Sequence, residues 1–239
     1  MASSFAKRFW KQASTLRSAE GYSIALDGRE VRTPAKAKLI APTLALAKAI
    51  SSEWDAQIGK IDPSTMPMTR TANSAIDTVT PRKPEIVDIV AAYGDADLLC
   101  YRAETPANLV HTQNEHWNPL LDWAGVQLEV ELETRTGIVH KPQSNVALDR
   151  LLYLVNQFQA FELAAFHDLV TLSGSLVIGF AASKKHLAIS QLWDVSRIDE
   201  NWQISQWGED EEDAKKVAVK RQAFLDAARF LDLISLNEG

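Results

Sequence analysis

The chain has a single cysteine among its 239 residues, Cys100, so it cannot form an intramolecular disulfide, which fits a reducing compartment. That cysteine sits in DLLCYR between apolar neighbours, where a thiol reads as a small buried hydrophobe rather than a nucleophile. Ten glycines and nine prolines are too few for a fibrous repeat or a disordered chain, and 46% hydrophobic with 23% charged residues describes an ordinary folding protein. Cationic side chains are outnumbered, 25 Lys and Arg against 31 Asp and Glu, and the net charge of -6 argues against nucleic acid as a partner. The longest apolar run, around Leu176 to Ala182, is far short of the roughly 20 residues of a membrane span, so no integral membrane segment is expected. The N-terminal MASSFAKRFWKQAS lacks the apolar core of a secretory signal and is too short to read as an organellar presequence.

The motifs of common chemistries are missing as well. There is no Gly-x-x-x-x-Gly-Lys phosphate loop, no Gly-x-Gly-x-x-Gly turn and no Gly-x-Ser-x-Gly elbow. His111 and His116 are five apart and fall on different faces of a helix, while His140, His167 and His186 stand alone, so no metal is expected. Carboxylates abound, but Asp95 and Asp97 do not share a helical face and Glu209 to Asp213 reads as a solvated run. No catalytic residue and no cofactor is assigned. The alternative left open is a small-molecule enzyme with an interdomain site, in which Arg70 or Arg102 would hold an anion.

What is present is secondary-structure pattern. Phe5 to Gln12 suggests a short helix. Tyr22, Ile24 and Leu26 alternate with polar or small residues, Asp27-Gly28 supplies a tight turn, and Glu30 to Arg32 runs back, predicting a β-hairpin. A short strand at Lys38 to Ala41 precedes Pro42, and Thr43 can cap a helix carrying Leu46, Ile50 and Trp54. Pro63 and Pro67 interrupt the chain. Beyond them helical spacing dominates, apart from the alternation of Val126, Leu128, Val130 and Leu132, which predicts an extended segment. Helices are expected over Val146 to Phe158, Phe161 to Leu172, Gly174 to Ser183, His186 to Trp207 and Asp210 to Leu236. The fold class is α+β, with a small N-terminal α+β domain at 1-72 followed by a larger orthogonal helical bundle at 73-239.

The most distinctive stretch is LWDVSRIDENWQISQWGEDEED, Leu192 to Asp213, which sets Trp193, Trp202 and Trp207 among carboxylates. Tryptophans at helical spacing usually pack inward. Trp207, beside Gly208 where a helix can end, can instead mark the rim of a protein-binding surface.

Taken together and in order, GYSIALDGREVRTPAKAKL, APTLALAKAISSEWDAQIGKIDPSTMPMTR, ANSAID, YGDADLLCYRA, HWNPLLDWA and SRIDENWQISQWGEDEED resemble the Atp-twelve family, assembly chaperones of the F-type ATP synthase. The resemblance runs from about Phe9 to about Leu233. It implies a non-enzymatic chaperone, a monomer when free, that binds the unassembled alpha subunit and shields its subunit interface until beta replaces it. It also implies a bacterial, cytoplasmic form, with eukaryotic relatives in the mitochondrial matrix. The family's important acidic position matches Asp199 or Glu200, with Glu200 favoured. Trp207, Ile204 and Met66 are the expected apolar contacts to the client, and Trp54 and Trp202 are expected to be structural.

Overall fold

The computed structural model describes residues 7–137 and 140–236, and its fold is α+β. The chain divides into two compact units, one made of 1–83, 160–165 and 229–239, the other of 84–159 and 166–228. Among the described residues no helix is long and apolar enough to cross a membrane.

The first unit is built on an antiparallel sheet. Strands β1 (Ala13–Ser18) and β2 (Gly21–Leu26) pair along their full length, β3 (Arg29–Glu30) extends the sheet beyond β2, and β4 (Ile40–Ala41) also pairs with β2. The turn between β2 and β3 has Asp27 at φ 47° and Gly28 at φ 82°, the two positive-φ positions that an Asp-Gly pair supplies at little steric cost. Asp27 also accepts the Lys11 and Gln12 N–H groups, and those bonds hold its carboxyl below its usual value.

Helix α1 (Leu44–Asp55) starts where Thr43 accepts the Leu46 N–H, and it buries Leu46, Ala47 and Ile50. Helix α2 (Pro67–Ser74) follows and runs into a wide turn at Ala75–Val79. The core gathers Trp10, Ile24, Leu26, Leu39, Leu46, Ile50, Met68 and Phe230, with Phe161 stacked 6.2 Å from Phe230. Trp54 packs against this cluster, its ring edge-on to Trp10 at 5.3 Å.

The expected N-terminal helix is corrected over its described part; Phe5 and Ala6 lie outside the described residues. Residues 7–12 are non-helical because their backbone is paired elsewhere: Lys7 bridges Lys60, the Arg8 N–H donates to the Gly59 carbonyl at 2.7 Å, and the Lys11 and Gln12 N–H groups go to Asp27, while the Arg8 guanidinium donates to the carbonyls of Trp10, Lys11, Asp55 and Gln57. Phe9 is therefore exposed while its neighbour Trp10 is buried.

The second unit is mainly helical. It contains most of α3 (Lys83–Ala91), then α4 (Ala107–Gln127), α5 (Asn145–Asn156), most of α6 (Ala160–Ser173), α7 (Leu176–Ser183), α8 (Ile189–Val195), α9 (Ile198–Trp207) and the larger part of α10 (Glu211–Ser235). A short parallel pair, β5 (Tyr101–Arg102) with β6 (Arg135–Thr136), lies between them in sequence. Helix α7 is apolar all round and is buried from Leu176 to Ala181. Gly179 on it meets the Phe166 ring and Val170, with no room for a Cβ. Phe158, Phe166 and Phe180 close an aromatic cluster beside it.

Two expectations change here. The alternation at 126–132 does not pair as a strand: α4 continues through Gln127, Val126 is exposed, and Leu128 and Val130 are buried in an irregular segment. Arg150 fastens that segment by donating from Nε to the Leu128 carbonyl at 2.9 Å. The single helix expected over His186 to Trp207 is two. Ser196 is buried and donates to the Trp193 carbonyl at 2.7 Å, and Arg197 leaves helical geometry at φ -115°, ψ 14°.

Candidate functional site

The break at Ser196–Arg197 gives α9 a direction of its own, and Gly208 ends it. Gly208 adopts φ 87°, which its missing Cβ allows, and its N–H still reaches the Ile204 carbonyl at 2.8 Å. Two residues on, Asp210 Oδ1 accepts the Glu212 and Asp213 N–H groups, each at 2.9 Å, and starts α10. The aromatic-acidic stretch is thus a helix, a glycine stop and a capped helix in close succession.

Between α9 and the first turns of α10 lies an open groove of about 460 Å³, which brings Glu200, Ile204 and Trp207 together with Val217. Trp207 is 76% exposed, an unusual cost for so large an apolar side chain in a folded monomer. Its ring meets Trp202 edge-on at 5.8 Å, and Trp202 is half-buried, so an inner tryptophan props the outer one.

Charge rims the groove. Glu200 pairs with Arg197 at 2.7 Å, and Arg197 in turn lies over the ring of buried Trp193. Opposite, Lys216 is held by Glu212 and Asp213, whose bonds raise its pKa, while Glu209 and Asp210 add further negative charge.

The remaining expected site residues lie elsewhere. Asp199 faces away from this groove and accepts from Gln113 Nε2 on α4 at 2.6 Å. Met66 is corrected as a client contact: it belongs to the first unit and is 2% exposed, because Pro67 starts α2 there and turns the methionine into the interior, so it offers no surface. A second, apolar cleft of about 290 Å³ lies between α4 and the α8–α9 corner, lined by Leu109, Val195, Ile198 and Trp202.

Sequence reasoning passed over Gln113 and Trp117, which hold this corner from α4. Trp117 donates from Nε1 to the Val195 carbonyl at 3.0 Å, and both residues are buried. Their partners are 86 and 78 residues away, so nothing in local spacing marks them.

The residues weighed for an enzymatic reading lie in separate surroundings. Cys100 is buried, and burial pushes its thiol up to about 12, far from a reactive thiolate. Arg102 is buried over the Trp117 ring, donating to the Leu99 carbonyl and to Asn114, and burial lowers its pKa. Arg70 is an exposed residue of the first unit. Among the described residues no three His, Cys, Asp or Glu side chains gather as a metal site would require.

Comparison with known proteins is consistent at every level. The family model described as ATP12 chaperone protein matches residues 7–125. Protein atp12, mitochondrial, of Schizosaccharomyces pombe is 27% identical over 215 residues, covering 84% of this chain and 74% of that protein. The crystal structure of Atp12 from Paracoccus denitrificans superposes with TM-score 0.92 at 42% identity, covering 96% of this chain and 98% of that one. A single-site mutant of the same Paracoccus protein also gives TM-score 0.92, at 41% identity and with the same coverage. A protein of Agrobacterium tumefaciens gives 0.91 at 35% identity, with 95% and 85% of the two chains covered.

Proposed function

Since the chain belongs to the ATP12 chaperone family, which serves ATP synthase assembly, we propose that it binds the free alpha subunit and covers its subunit interface until beta takes that place. The observation that carries the reading is the groove in which Glu200, Ile204 and Trp207 meet. A temporary partner for an apolar subunit surface needs apolar area that stays soluble when empty, and a single exposed tryptophan ringed by charge meets both needs. Glu200 then answers a basic group on the client, Asp199 sits behind the same helix, and exchange for beta requires no bond to be made or broken.

On this reading the protein is no enzyme and is a monomer when free. It works in the bacterial cytoplasm.

The test is co-elution of the purified protein with isolated alpha subunit, followed by addition of beta. The expected result is a complex that beta dissolves, and one that Glu200→Lys weakens at least about tenfold while the thermal unfolding midpoint stays put. Absence of a complex with the wild-type protein would refute the alpha-subunit assignment. Wild-type capture by the Glu200→Lys variant would remove Glu200 from the contact.

A further inference from the structure

Helix α9 carries the groove, yet it has no capping side chain at its own start, where Arg197 makes no cap bond. It is secured instead from α4. Gln113, 1% exposed, accepts the Ala103 N–H on Oε1 at 2.9 Å and donates from Nε2 to Asp199 Oδ1 at 2.6 Å.

The two partners leave the amide no choice of orientation. A backbone N–H can only donate and a carboxylate oxygen accepts, so the oxygen of Gln113 must face Ala103 and its nitrogen must face Asp199. One turn along α4, Trp117 holds the Val195 carbonyl at 3.0 Å. The end of α8 and the first turn of α9 are therefore pinned to one buried face of α4, with Ile198 packed between the two bonds in sequence.

We infer that Gln113 is the positioning residue of α9, and that Asp199 acts through it as an internal anchor rather than by meeting the client. This deepens the proposed function and rests on it for the importance of α9, but the anchor itself stands on the bonds above. The adjacent acids thus have different duties. Glu200 faces the groove from its pair with Arg197, whereas Asp199 is bonded to the buried amide behind it.

The discriminating variants exploit the direction of the bonds. In Asp199→Asn an amide oxygen still accepts from Gln113, so the anchor survives while the charge is lost. In Gln113→Glu two carboxylates confront each other at the distance of a hydrogen bond, and α9 must move. Combining the two restores a match: the introduced carboxylate accepts both from Ala103 N–H and from the introduced amide.

Amide hydrogen exchange over 202–207, in the full chain without client, reads the pose of α9 directly. The expectation is exchange at least about tenfold faster in Gln113→Glu, with α5 unchanged, and a return to within about threefold of wild type in the double variant and in Asp199→Asn. Capture of alpha subunit should follow the same order. Unaltered exchange in Gln113→Glu, or a double variant no better than that single one, overturns the inference. So does Asp199→Asn that loses the client while α9 remains protected, since the carboxylate would then be meeting the client itself. If wild type captures no alpha subunit, the functional reading fails, and the exchange series still decides the anchor.

Discussion

The Val177 N–H donates to Asp97 Oδ2 at 3.1 Å, joining residues 80 apart in the chain, while Asp97 Oδ1 accepts the Leu99 N–H at 3.0 Å. One fully buried carboxylate thereby caps the helical turn at Leu98–Cys100 and takes a first-turn N–H of the apolar helix α7, whose own cap is Ser175. A negative group suits a helix N-terminus, but burial penalises its charge. Desolvation wins: it raises the Asp97 pKa against the Ser175 hydroxyl and the backbone N–H bonds that favour ionisation.

Asp97→Ala should therefore be among the most damaging single changes in the second unit. It orphans two buried N–H groups at about 1–3 kcal/mol each, so urea unfolding should show a loss of about 2–5 kcal/mol. The pH dependence has a definite sign. A carboxyl whose folded pKa lies above its unfolded value favours the native state most at acid pH, and that contribution disappears as pH rises through the folded value. The stability of the wild type relative to Asp97→Asn should hence fall between pH below 3.8, the ordinary value, and neutrality. A flat difference across a pH series of urea titrations would contradict the assignment.

Thr43 has two duties, and only one is local. Its Oγ1 accepts the Leu46 N–H to cap α1 and donates to the Leu233 carbonyl at 2.7 Å. Thr43→Val keeps the shape and removes both bonds, so the midpoint of denaturant unfolding should fall by the equivalent of about 1–2 kcal/mol. Thr43→Ser should recover most of that loss.

Gly21 opens β2 at φ 141°, with the Ala41 carbonyl of β4 directly where a Cβ would stand. The obstacle is backbone and cannot rotate away. Gly21→Ala should cost about 2–4 kcal/mol, combining a strained φ with a displaced strand. Gly28→Ala, at φ 82° in open space, should cost less, about 1 kcal/mol. Thermal melts of the two variants side by side test the contrast.

These residues also mark what the sequence can express. The Asp27-Gly28 turn, the Thr43 cap and the Gly208 stop are local rules, and each appears in the fold where its residues place it. Strand β1 escaped because ASTLRS has no apolar alternation, and it forms by pairing with β2 rather than by its own pattern. The break between α8 and α9 escaped because Ser196 bends the chain through a bond to its own helix, which a pattern of apolar spacings does not reveal. At the site, the resemblance singled out Glu200, Ile204 and Trp207, and the three line one groove beside α10. It could not separate Asp199 from Glu200, because what distinguishes them is Gln113, distant in sequence. Met66, expected as an apolar contact to the client, is shown to be buried only by tertiary packing.

Met66 and Trp207 now offer opposite expectations that one pair of variants can separate. Met66 is 2% exposed and Trp207 is 76% exposed, so truncating the first opens a cavity and truncating the second removes only surface. Met66→Ala should lose about 2–4 kcal/mol of stability. Trp207→Ala should change stability by less than about 1 kcal/mol, the edge contact with Trp202 being the main loss. In the co-elution assay the ranking should invert: Trp207→Ala should weaken alpha-subunit capture at least about tenfold, as expected for a central aromatic anchor, while folded Met66→Ala protein at low temperature should capture normally. Should Trp207→Ala both keep its stability and hold alpha subunit as tightly as wild type, the groove between α9 and α10 would not be where the client sits.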